Sequence, residues 1–131
     1  PAVRVKGEVL HAILCHPTVE KPLTREAGIV RVADALDMER GRSRMPYAQG
    51  GRGIDTLSSQ AIRQVTLESG EETPVLVQIE MVNAAGVYQV DGLLKAKLRD
   101  STIEDMVRIV AVNTRADGDG EGDRLVERIE L

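Results

Sequence analysis

Arg40, Arg42, Arg44 and Arg52 gather around Gly50, Gly51 and Gly53 in the stretch RGRSRMPYAQGGRGIDTLSSQAIRQV. Guanidinium groups grip phosphate oxygens through paired N–H donors, and glycines let a backbone come close to a ligand. The stretch then runs into Asp55, Ser58 and Ser59, residue types that cap a helix. A helix start offers unpaired N–H groups and a partial positive charge, so the combination predicts a seat for an anion, phosphate above all. A solvated connection leading into a capped helix accounts for the same residues. The stretch is not a P-loop, because Gly-Lys-Ser/Thr does not occur at the required spacing.

Other reactive side chains are less organised. His11 and His16 flank Cys15, and Glu20 follows, which raises a thiolate nucleophile or a metal site. Their spacing on a segment broken by Pro17 does not converge the two imidazoles, so Cys15 reads as a small, half-buried residue. Pro1 carries a secondary amine that could act as a base in a buried, positively lined pocket, with Arg4 near in sequence. The acid pairs Asp34/Asp37, Glu71/Glu72 and Glu104/Asp105 have no base or metal triad beside them. Lys95, Lys97 and Arg99 recur at period two, a row that would keep an edge strand soluble or extend a positive surface. No catalytic set, no cofactor and no metal site is expected.

These residues must be positioned by a small structure. At 131 residues the chain reads as one domain, 1–131, with a basic glycine-rich loop at 39–53 and an acidic one at 115–124. Hydrophobic residues make up 42% and aromatics 2%, with no Phe or Trp, so the core must be Val, Ile, Leu, Ala and Met. Only Tyr47 and Tyr88 could stack a base, which excludes an aromatic base-stacking platform. A single Cys, no leader and no apolar run of membrane-spanning length point to a cytoplasmic protein, with Pro1 read as following a removed Met. The net charge of −4 is unevenly spread: the four arginines meet only Glu39 in 39–53. Asp117, Asp119, Glu121, Asp123, Glu127 and Glu130 outnumber Arg124 and Arg128 near the end. Such polarity suits head-to-tail contact between copies, and equally a solvated acidic tail.

VRVKGEVLHAIL alternates Val3, Val5 and Val9 and reads as a strand. EAGIVRVADALDM suits helix or strand. Leu57, Ala61, Ile62 and Val65 share a helical stripe. TPVLVQIEMV reads as a strand, with Val75, Val77, Ile79 and Met81 on one face, and VYQVDGLLKAKL as its hairpin partner. Ser101 and Glu104 have the spacing of a capping box before a helix with Ile103, Met106, Val107 and Val110 on one face. RLVERIEL closes as a short strand. The expectation is an α+β fold, a ferredoxin-like or RRM-like β-α-β-β-α-β palm with a long loop insertion after the first strand.

Two stretches carry a resemblance. GGRGIDTLSSQAIRQ resembles the glycine-basic entry into the first helix of the repeat-associated (RAMP-type) backbone subunits of type I CRISPR effector complexes. QIEMVNAAGVYQVDGLL is similar to their paired strands, and ADALDM to a short segment of the archaeal branch. The resemblance implies an RRM-like palm, an antiviral-defence role, and non-catalytic subunits that assemble along a guide RNA and grip its backbone. It implies that Ser58, Ser59, Gln60 and Arg63 match the helix-opening element facing the RNA. With Arg40, Arg42, Arg44, Gly50, Gly51 and Arg52 they form the expected RNA-binding set. The expected partners are RNA, copies of the chain and other subunits of a complex, with no membrane. The alternative is a virion structural or decoration protein that makes protein–protein contacts only.

Overall fold

The computed structural model describes residues 1–39, 58, 60–114 and 126–130, the last through its backbone. Two helices come first, α1 (Ala2–Cys15) and α2 (Arg25–Leu36). Strands β1 (Ile62–Ser69) and β2 (Val75–Met81) follow. A π-helical stretch, Tyr88–Leu94, passes directly into the single turn α3 (Lys95–Leu98). A 3-10 turn, Glu104–Met106, leads into β3 (Val107–Thr114), and β4 (Val126–Glu130) ends the described chain. The molecule is α+β, as composition and patterning predict. Its elements, however, run ααββαββ rather than β-α-β-β-α-β.

The four strands lie in the order β1-β2-β3-β4. β1 and β2 form an antiparallel hairpin, β2 and β3 are parallel, and β3 and β4 are antiparallel. A parallel pair cannot be joined by a tight turn, so the chain between β2 and β3 must cross over, and the crossover carries the π stretch and α3. This is why VYQVDGLLKAKL is helical instead of a hairpin strand. Val90, Leu94 and Leu98 recur every four residues and are all buried, and the Lys95 N–H reaches the Val90 carbonyl, five residues back.

One sheet face is the core. Val77, Ile79 and Met81 of β2 and Val107, Ile109 and Ala111 of β3 point into it. Val90, Leu94, Leu98, Ile103 and, from α2 and its end, Val32 and Met38 close over them. Residues between those on the strands face outward: Gln78, Glu80 and Arg108 are exposed or half-buried. Arg108 is paired with Glu72.

Three further expected elements change type. The first strand is instead α1. Its inward face is Glu8, His11, Ala12 and Cys15, spaced at i, i+3, i+4 and i+7, and the alternating valines lie outside it. The expected helix at 57–65 gives way to β1 from Ile62 on. β-branched Ile62, Val65 and Thr66 favour the pleated sheet, and a bulge lies between Ile62 and Gln64. The helix expected after Ser101 is a single 3-10 turn, since Val107, Ile109, Val110 and Val112 suit a strand. The two side chains still bond locally, though not as a capping box: Ser101 Oγ accepts the Ile103 N–H, and Glu104 accepts the Asp100 N–H.

α1 and α2 meet through small residues, Ala12, Cys15 and Ala27. Their connection is tied down by polar groups. Thr24 caps α2 by accepting the Ala27 N–H, and its hydroxyl donates to Glu8 at 3.1 Å. His11 Nε2 accepts the Leu23 N–H, and its Nδ1 lies 3.3 Å from the Thr24 hydroxyl. Arg31, buried in α2, donates to the Glu20 carbonyl at 2.8 Å. Lys21 pairs with Asp100 at 2.9 Å, and that hydrogen bond and charge hold the Asp100 carboxyl below the usual carboxylate range.

Candidate functional site

Most of the expected RNA-binding set lies outside the described residues: Arg40, Arg42, Arg44, Gly50, Gly51, Arg52 and Ser59. Both ends of that stretch are described. At one end Met38 is buried in the core, and the Glu39 carboxylate accepts the Val65 N–H at 2.9 Å. Among the described residues β1 ends the sheet, and Glu39 satisfies one of its outward N–H groups. At the other end the Ser58 hydroxyl accepts from Gln89 Nε2 at 2.7 Å, and both residues are buried. The Ser58 hydroxyl thus orients a buried amide. Gln60 is half-buried, and Arg63 is exposed on β1.

The remaining sequence candidates take structural places. Cys15 is free and buried, with its Sγ 3.5 Å from the Lys21 carbonyl. His16 Nδ1 lies 2.6 Å from the Ile13 carbonyl, and His11 belongs to the Thr24 network. Pro1 is exposed and its carbonyl accepts the Val5 N–H, so it opens a helix instead of lying in a pocket. Lys95 and Lys97 stand on α3, not on a strand: Lys95 pairs with Asp91 and Lys97 with Asp34. Among the described residues no three His, Cys, Asp or Glu side chains gather into a set that could hold a metal ion. Among them too, no helix is long and apolar enough to cross a membrane.

The sequence reading missed the feature that dominates the described surface. α1 buries only Ala12 and Cys15, while its outer side shows Val3, Val5, Val9, Leu10, Ile13 and Leu14. Val3 is 84% exposed, Leu14 67% and Leu10 61%. Ile29 and Val30 on α2 and Leu23 in the connection are exposed as well. Single exposed apolar residues are ordinary, but a helix whose large apolar side chains nearly all face water is not. A helical wheel of residues 2–15 shows part of it: Val3, Leu10, Ile13 and Leu14 fall on the side away from Ala12 and Cys15.

No family model matches the chain, and no solved structure matches it. Over 110 residues, 84% of the chain, it is 36% identical to the uncharacterized protein MJ1020 of Methanocaldococcus jannaschii. The chain spans 42% of the length of that relative. The sequence thus resembles part of a longer archaeal protein.

Proposed function

We propose that the chain is a non-catalytic subunit of a protein assembly, attached to its partner through the outer face of α1. One observation carries this reading: Val3, Val5, Val9, Leu10, Ile13 and Leu14 are exposed on a helix that contributes only Ala12 and Cys15 to the interior. Covering apolar area releases about 25 cal/mol per Å², so burying several such side chains outweighs the cost of holding one more short helix against a partner. Tagged protein expressed in its own source should migrate above its monomer size. A Leu10→Asp/Leu14→Asp variant should migrate as a monomer with an unchanged circular dichroism spectrum. Wild type and variant both at monomer size would end the assembly reading.

A second reading adds RNA to this assembly. What favours it is the residue just before the arginines: Glu39 is bonded to β1, where Arg63 is exposed. In this reading Arg40, Arg42, Arg44 and Arg52 grip phosphates with no preference for base. The sheet's open face adds nothing to it, since Arg108 is already paired with Glu72 and Glu80 lies on the same face. Each neutralised phosphate of a single strand contributes about 0.7 to the slope of log affinity against log salt. An Arg40/Arg42/Arg44/Arg52→Ala variant should therefore flatten the slope measured by fluorescence anisotropy by about 3. No binding at low salt by folded wild-type protein would leave only the protein–protein reading.

A further inference from the structure

We infer that the partner of α1 is α1 of a second copy, packed antiparallel across a twofold axis between residues 8 and 9. The inference rests on the assembly reading and names its partner. Val3, Gly7, Leu10 and Leu14 succeed one another by four, three and four residues. This is the alternation of a and d positions by which two helices mesh knobs into holes. All four are exposed, and they lie on the side of α1 away from Ala12 and Cys15, its contact with α2.

Gly7 is the informative member. Glycine within a helix costs about 1 kcal/mol relative to alanine, and nothing in the chain asks for it, since a Cβ there would meet no atom within 4 Å. A missing side chain on an apolar seam makes a hole. In the antiparallel arrangement Gly7 faces Leu10 of the partner subunit, and Leu10 faces Gly7 of the partner subunit. Val3 then faces Leu14 of the partner subunit in both outer layers. One axis satisfies every pairing, and each central leucine enters the space that a glycine leaves open.

The parallel arrangement is worse on two counts. It sets Gly7 against Gly7, which leaves a void, and Leu10 against Leu10 one layer on. It also puts Arg4 of each chain on the same flank of the seam as Lys6 of the other, like charges close together. The antiparallel arrangement puts Arg4 and the partner's Lys6 on opposite flanks and lets the Lys6 stem lie along Ile13 of the partner subunit, apolar against apolar. An isologous contact of this kind closes on itself as a dimer, whereas a heterologous one propagates.

Light scattering on purified protein through a dilution series should show a dimer that dissociates to monomer. Under oxidising conditions, a mixture of Val3→Cys and Leu14→Cys chains carrying different tags should form a disulfide only between the two kinds. Neither variant alone should cross-link, and wild type, whose native Cys15 is buried, should not cross-link either. Gly7→Leu fills the hole and should weaken the dimer by about tenfold or more, while α1 stays helical. Cross-linking of Val3→Cys with itself would show the parallel contact and overturn the inference while leaving the assembly reading standing. Purified wild type that stays monomeric, from a source where it runs as a larger species, would show a different partner and overturn the inference alone. A dimer unaffected by Gly7→Leu would place the contact elsewhere and overturn it as well.

Discussion

Gly28→Ala lowers stability by about 3 kcal/mol, against the gain of about 1 kcal/mol that alanine brings to an ordinary helix position. Gly28 lies in the first half of α2, where the turn after α3 comes against the helix backbone. A Cβ at this position would collide with the Ser101 carbonyl oxygen and the Thr102 hydroxyl. A side chain could rotate away, but a carbonyl oxygen moves only with its backbone. That backbone is already constrained: Asp100 has φ of 60° and Thr102 has φ of 70°, both left-handed. For a β-branched residue such as Thr102 this conformation is strained. The turn is held there by the Thr102 hydroxyl, which donates to the Thr24 carbonyl at 2.9 Å, and by the Lys21–Asp100 pair. Relief of the collision therefore has to move α2 away from the turn, which loosens Val32 and Met38 from the sheet. Urea unfolding should show the loss as a lower midpoint with an unchanged slope. A Gly28→Ala protein as stable as wild type would mean that α2 does not lie against residues 100–102.

That contact also shows what could and could not be read from sequence. β2 was legible because Val75, Val77, Ile79 and Met81 alternate with polar residues, and the buried side is the one that pattern selects. β4 was legible in the same way, from the alternation in RLVERIEL. α2 was half legible: its alanines suited a helix, and Thr24 with Glu26 marks a capped start, but GIVRV suited a strand equally. α1 misleads for a deeper reason. Periodicity reports which residues are buried only when the apolar ones are buried, and on α1 they face outward. Its valines lie outside the core. β1 misleads because an edge strand with a bulge has no clean alternation, and Ala61, Ile62 and Val65 happen to fit a helical stripe. Ser58 shows the same limit at the candidate site: a capping serine and a buried serine bonded to a glutamine look alike in sequence. What separates them is Gln89, thirty-one residues away.

Ile109→Ala should cost about 3 kcal/mol, and Val110→Ala, one residue on, less than about 1 kcal/mol. The two lie on β3, an inner strand flanked by β2 and β4. Ile109 is fully buried and stands in register with Val77, also fully buried, so its truncation leaves a cavity that neighbouring strands cannot close. Val110 is half-buried on the opposite face, in register with exposed Gln78, and solvent fills the space its methyl groups vacate. The ratio matters more than either value, because a shift of one residue in the pairing would exchange the two positions. The same comparison tests which surfaces are left for binding. With Ile109 inside and Val110 outside, the outward face of β2 and β3 carries, among the described residues, Gln78, Glu80, Leu76 and the paired Arg108, a mixed set of side chains. Equal losses at the two positions, read by urea unfolding, would put packed residues on both faces of β3. The second helical layer that this requires would then compete for the sheet with every partner drawn to it.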